Sequence, residues 1–431
     1  MKKCNPLIKK LIVCFLTISL FGVAYSPKTR AQDPALNAAI EKYRKGQLIV
    51  QAKLGSKVNV EQLRHEFWFG CAIPNNLAGG MTPNNLKMFK EKFLENFNAA
   101  TTENALKWMI MEPQKDKENY AVIDSILNWT EKNNIPLRGH NIFWGIFKSP
   151  NTGQQYVQQW VTELSDVELK QRIQTRAEKI TKRYKGRFYE YDLNNEMIHG
   201  NYYEERLGPD ITKLMFQWAH SGDPDAKLFL NDYDVLIKDS PLGIGLPEYM
   251  AFIRKLLKQG IPIAGIGAQG HSHLETFDRK VLKDALDSLA TFNIPIRITE
   301  FNLPGMRSKY KSLQLTPEQE ESKAKEIVDY YRICFAHPAV TGIIMWGFWE
   351  GANWVPSSSM YKRDWTPTPA AAAYHNLIYK EWWTKESGVA DKDGVFKTQA
   401  FFGKYKVTVD GVTKEIDLTK AKGKATVDFR N

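Results

Sequence analysis

The chain has 431 residues, 43% of them apolar and 12% aromatic, and a formal charge of +11. This composition excludes a disordered or membrane-embedded protein and supplies enough apolar side chain for a large globular core. Six of the cations, Lys2, Lys3, Lys9, Lys10, Lys28 and Arg30, lie before residue 32, so the remainder carries +5; no Lys/Arg block of the kind that follows a phosphate backbone comes later, and nucleic acid is not an expected partner.

Lysines 2, 3, 9 and 10 precede an apolar run over 11–25, and small or polar residues then lead to Ala31. This is the pattern of a secretory signal peptide over 1–31, with cleavage expected after Ala31 and Ala24 as the competing site. The run is shorter than the roughly 20 residues of a membrane-spanning helix, so no stable membrane insertion is expected and the mature protein is expected to be secreted, extracellular or periplasmic. Cys71 and Cys334 remain after cleavage; they are too few for a disulfide framework and read as small buried hydrophobes.

Residues 32–66 read as an N-terminal β-segment, with strand-like runs at 48–52 and 58–63. From 67 to 385 short apolar runs alternate with amphipathic stretches. The predicted strands are 67–73, 97–101, 137–143, 188–194, 227–231, 263–269, 296–299 and 342–346. The clearest helices fall at 86–96, 122–133, 166–184 and 317–335, the last with Thr316 as N-cap and Pro317 in its first turn. Eight such units predict an α/β fold, a closed (β/α)8 TIM barrel. No Gly-x-Gly-x-x-Gly fingerprint opens any unit, and no cofactor is expected. Residues 386–431 read as a C-terminal β-hairpin extension, with runs at 405–409 and 412–418 around Asp410-Gly411, and the two flanks can pair in one small β-module.

In such a barrel, chemistry collects where strands end at the C-terminal face. Five places there carry polar residues: Glu103-Asn104 with Lys107 and Trp108, His140 with Trp144, Asn195-Glu196, Gln269 with His271, and Glu300. Glu196 after the fourth strand and Glu300 after the seventh supply the two carboxylates that acetal cleavage requires. No Ser-His-Asp order and no suitably placed exposed Cys supports acyl transfer. His271-Ser272-His273 could ligate zinc in another context, but it follows the sixth strand and lacks the matching Asp and Lys set; the expected metal content is none.

The motifs around these positions resemble those of glycoside hydrolase family 10, whose best-known members are endo-β-1,4-xylanases. They are Thr-Glu-Asn-Ala-Leu-Lys-Trp at 102–108, Arg-Gly-His-Asn-Ile-Phe-Trp at 138–144, Asn-Asn-Glu-Met at 194–197 and Leu-Asn-Asp-Tyr at 230–233. Gly-Ile-Gly-Ala-Gln-Gly-His at 265–271, Ile-Thr-Glu-Phe at 298–301 and Trp-Gly-Phe-Trp-Glu at 346–350, with Trp354 beyond, complete the order.

The resemblance implies a retaining endo-β-1,4-xylanase with Glu196 as acid/base and Glu300 as nucleophile, their carboxyls about 5 to 5.5 Å apart. It assigns Glu103, Asn104, Lys107, His140 and Gln269 to sugar hydroxyls, Trp346 and Trp354 to the pocket wall, Asn195 to the 2-hydroxyl and His271 to the orientation of Glu300. Trp144 belongs to the same substrate-binding set. The implied partner is a polysaccharide, xylan or xylooligosaccharides, bound by a monomer. A non-catalytic carbohydrate-binding barrel and a glycosidase for another β-1,4-glycan are the competing readings.

Two departures from the family pattern stand out. Asn302 replaces the Asp of Glu-x-Asp, which predicts a His271 without a carboxylate partner and with a lower pKa. Gly145-Ile146-Phe147 replaces His-x-Gln after Trp144, so contacts beyond the innermost sugar differ.

Overall fold

The apolar runs lack period-two alternation because each becomes a parallel strand buried on both faces. In the computed structural model, which describes residues 33–149, 153–310 and 314–430, the strands are Trp68–Ile73, Ala99–Thr102, Leu137–Gly139 continued by Phe143–Trp144, Glu190–Asn195, Leu228–Asp232, Gly265–Ala268, Ile296–Phe301 and Val340–Met345. Each pairs in parallel with its neighbours in chain order, and the eighth returns to the first from Gly342 opposite Trp68 to Met345 opposite Cys71. The sheet closes into an eight-stranded barrel. The predicted third strand is interrupted: Arg138 pairs with Glu190 and Phe143 with Asn194, leaving residues 140–142 between the two pieces at the barrel mouth.

The helices between strands carry the signals that start them. Asp166–Arg183 opens on a capping box of Ser165 and Glu168, and Pro317–Ala336 opens on one of Thr316 and Gln319 with Pro317 in its first turn. Cys71 and Cys334 are buried and unpaired. Among the described residues no helix is long and apolar enough to cross a membrane, and the expected signal peptide lies outside the described residues.

The barrel floor is ionic. Arg138 donates Nη1 to Glu190 Oε1 at 2.5 Å and grips Asp192 with Nε and Nη2, while Arg297 donates Nη2 to Glu190 Oε2 at 2.9 Å. Arg297 lies 4.0 Å over the Trp68 ring. Two guanidiniums and two carboxylates, all nearly fully buried, neutralise one another; such a network is tolerated in a dry interior only when every member is matched. Asp192 extends it upward, with Oδ2 2.9 Å from His140 Nδ1 at the floor of the mouth.

The flanks differ from the predicted segments. Residues 34–44, expected within a β-segment, form a helix, Pro34–Arg44: Asp33 caps it by accepting the Ala35 N–H at 2.9 Å, and Pro34 sits in the first turn. Its last residue, Arg44, donates Nη2 to the His337 and Val340 carbonyls at 2.6 and 2.9 Å, which ties the helix to the barrel. After it, Lys45–Gln51 pairs with Val395–Phe401 and Lys424–Asp428, and Lys57–His65 pairs with Lys385–Val389 and Gly403–Val409. Val412–Leu418 joins Gly403–Val409 through Asp410 and Gly411, whose φ values of 48° and 89° suit a tight type I′ turn. The C-terminal flank therefore holds five strands where the sequence showed one hairpin. Leu48, Val50, Val58, Val60, Tyr405 and Val407 fill the space between the two sheets.

Candidate active site

The ends of strands three to seven converge at the barrel mouth and place two carboxylates in unlike surroundings. Glu300, the second-last residue of Ile296–Phe301, is 5% exposed. Its Oε1 accepts Asn231 Nδ2 at 2.8 Å and lies 3.9 Å from His140 Nδ1; its Oε2 lies 3.3 Å from His271 Nε2. Burial alone would raise its pKa, but His140, His271 and Lys107 outweigh it and hold the carboxyl at about 2.

Glu196 follows Glu190–Asn195 directly, in the left-handed region at φ 61°. Gln269 Nε2 donates to its Oε1 and Trp144 Nε1 to its Oε2, each at 2.8 Å. Its pKa is raised, first by desolvation and then by the charge of Glu300, with Asp232 adding in the same direction; the two donors oppose the shift only in part. Desolvation thus leads, and the charge of Glu300 comes second.

The remaining predicted residues surround this pair. Asn104 Nδ2 donates to Glu103 Oε1 at 3.1 Å, and Lys107 Nζ donates to Asn104 Oδ1 at 2.9 Å while lying 4.5 Å over the Trp144 ring. The other face partner of Trp144 is Tyr156, stacked with centroids 4.1 Å apart. Burial lowers the pKa of Lys107 against the pull of Glu300, Glu196 and Glu103, and raises that of Glu103. Trp346 is buried edge-on to His140 at 5.2 Å, whereas Trp354 is 41% exposed and edge-on to His271 at 5.2 Å. Asn195 Oδ1 accepts Asn231 Nδ2 at 2.9 Å.

Three placements correct or extend the sequence reading. Gln269 and Trp144, expected against sugar, both hold Glu196 in this arrangement. Residue 302 gives His271 no carboxylate, as expected, but the amide Oδ1 of Asn302 lies 2.9 Å from Nδ1, so an oxygen faces each ring nitrogen. Asn231 had no role from sequence, although it stands in the Leu-Asn-Asp-Tyr motif; its amide bridges Asn195 and Glu300, and its Oδ1 accepts Thr299 Oγ1 at 2.6 Å. His273 turns to Asp234 Oδ1 at 2.6 Å, and among the described residues no group of three or more His, Cys, Asp or Glu side chains is arranged to hold a metal ion.

One carboxyl is held well below the usual carboxylate range and the other is pushed above it, an arrangement that can serve a nucleophile and a proton donor. The profile of Glycosyl hydrolase family 10 matches residues 60–377. The chain is 35% identical over 356 residues to Endo-1,4-beta-xylanase 1 of Arabidopsis thaliana, an alignment covering 82% of this chain and 34% of that protein. It is 34% identical to the Anti-sigma-I factor RsgI6 of Acetivibrio thermocellus, over 80% of this chain and 41% of that one. The chain thus spans about a third to two-fifths of these relatives' length. Xylanase 10B from Thermotoga petrophila, solved in complex with xylobiose, shares the fold with a TM-score of 0.63 and 22% identity, over 73% of this chain and 95% of that one.

Proposed function

The chain belongs to glycosyl hydrolase family 10, and from that membership we propose that it hydrolyses internal β-1,4-xylosidic bonds of xylan by double displacement with retention. The observation that carries the proposal is the split in proton affinity between Glu196, raised, and Glu300, held at about 2. The raised pKa suits Glu196 to hold the proton that the leaving oxygen needs, while Glu300 is free to bond the anomeric carbon. Once Glu300 is glycosylated its charge is gone, one reason for the high pKa of Glu196 disappears, and Glu196 can take a proton from the attacking water.

In this reading Glu103, Asn104, Lys107 and His140 meet hydroxyls of the sugars before the scissile bond, and Trp346 and Trp354 present faces to their C–H surfaces. Gln269 exchanges its bond to Glu196 for a sugar hydroxyl on binding, Trp144 steadies the acid, and Asn195 serves the 2-hydroxyl. The basic and apolar pattern of residues 1–31 supports export with cleavage of that segment, and the protein works as a secreted monomer without cofactor.

One second reading is a barrel that binds glycan without turning it over; one of the relatives, 34% identical, is named as an anti-sigma factor and not as an enzyme. Glu300→Ala and Glu196→Ala separate the two. Catalysis predicts that Glu300→Ala abolishes release of xylobiose from xylan, and that Glu196→Ala damages xylan cleavage far more than cleavage of a dinitrophenyl β-xylobioside, whose leaving group needs no proton. Wild-type protein that binds xylan with no turnover would establish the second reading. NMR of the first-formed anomer tests retention.

A further inference from the structure

The acid/base residue stands in a backbone conformation that a glutamate rarely adopts. A left-handed φ in a residue with a Cβ persists only where its surroundings over-determine it. The residues that do so come from the end of the fifth strand. The Glu196 N–H donates to the Asn231 carbonyl at 2.8 Å, and the His199 N–H closes a turn on the Glu196 carbonyl at 3.1 Å. Asp232, 1% exposed, then fastens that turn: its Oδ2 accepts the Ile198 N–H at 3.1 Å, and its Oδ1 accepts the Tyr233 N–H at 3.1 Å and lies 2.7 Å from His199 Nδ1. The His199 ring stacks on Tyr233 with centroids 3.6 Å apart and planes at 14°.

We propose that His199 and Asp232 form a positioning pair that holds Glu196 in its working conformation and balances the charge beside its carboxyl, a role that rests on Glu196 being the general acid.

The electrostatics follow from the same geometry. Asp232 acts on Glu196 as a like charge, and His199 is the only cationic-capable group bonded to Asp232 among the described residues. The groups in the field of His199 are Asp232, Glu196 and Asp234, with Tyr233 against its face, and His199 in turn acts on Glu248. Asp234 is already paired with His273 and Ser240. Burial opposes a charge on His199, but the bond to Asp232 together with the charges of Asp232, Glu196 and Asp234 outweighs it and raises the imidazole pKa. Among the described residues His199 Nε2 is buried with no partner and the ring's polar bonding is directed at Asp232.

Two near-isosteric variants separate charge from shape. Asp232→Asn keeps an oxygen for the Ile198 N–H and removes the anion; His199→Asn keeps an N–H donor and removes the cation. The Glu196 carboxyl, assigned by its loss in Glu196→Gln, is titrated by 13C NMR in the uncomplexed protein. Its midpoint should fall by about one unit in Asp232→Asn and rise by a similar amount in His199→Asn. The alkaline limb of kcat/KM on xylooligosaccharides should move with it. His199→Phe, lacking donor and charge, should lose about tenfold more on xylooligosaccharides than on the dinitrophenyl glycoside, and His199→Asn should restore most of that difference. Midpoints that stay put, or that move in the same direction in both Asn variants, overturn the proposal. The titration needs no substrate, so absence of xylan turnover by the wild type refutes the proposed function and leaves this result readable.

Discussion

Replacing Asn231 by Asp tests how Glu300 is kept ionised. The side chain is 1% exposed and nearly isosteric with its replacement, so the packing at the end of the fifth strand is retained. What changes is the contact to Glu300 Oε1, where an N–H donor at 2.8 Å becomes an oxygen. A hydrogen bond to a charged group contributes about 1.5–3 kcal/mol, and one pKa unit corresponds to about 1.36 kcal/mol. Loss of the donor alone therefore raises the Glu300 pKa by about one to two units from its value near 2, and a second anion adds to that. A depressed carboxylate pKa gives activity that survives until the pH falls to that pKa, so the shift brings the acid limb upward, into the range of about 3 to 4 or above. The assay is kcat/KM against pH on a dinitrophenyl β-xylobioside, for which protonation of the leaving group does not limit the rate. An acid limb at the wild-type position in Asn231→Asp would refute the argument, whatever happened to the plateau rate.

Trp144→Phe removes the indole N–H from Glu196 Oε2 while keeping a ring beside Tyr156. With one stabilising bond to the anion gone, the alkaline limb on xylooligosaccharides should rise by about one to two units; a limb that falls would contradict the assignment. Arg138→Met leaves Asp192 without its guanidinium and Glu190 with only Arg297. Breaking a buried ionic network from one side costs about 3–5 kcal/mol, measurable by urea unfolding, and a change under about 1 kcal/mol would mean that the floor does not depend on it.

All eight barrel strands were legible within a few residues because most are short, apolar-rich runs buried on both faces, a local signal, although Glu190–Asn195 is buried throughout and largely polar. Thr316-Pro317 was legible for the same reason, since a cap acts within one turn. The helix at 34–44 was not: it is three turns long and polar on one side, and it stays in place through Arg44, whose acceptors lie some 300 residues away. The carboxylates Glu196 and Glu300 could be found because strand ends face the site. Which neighbours touch them could not, since contacts such as Asn231 with Glu300 or Gln269 with Glu196 depend on the register between strands far apart in sequence. Asn302 was expected to deprive His271 of a carboxylate partner, and it does: an amide oxygen fills the place geometrically, without the charge.

The two flanking sheets carry a consequence for synthesis. Gln47 to Gln51 lie beside Lys424 to Asp428, with the entire barrel between them in the chain. At 5–20 residues per second, the ribosome takes roughly 20 to 75 s to make what separates the partners. Over that interval the strands at 45–65 present open edges, the form in which a nascent chain is most prone to pair with another. The barrel between them can close in the meantime and bring its two ends together, so that Val395–Phe401 and Lys424–Asp428 meet edges already in place. A chain released before Lys424 to Asp428 are made keeps a sticky edge on Gln47 to Gln51 that those residues never arrive to cover.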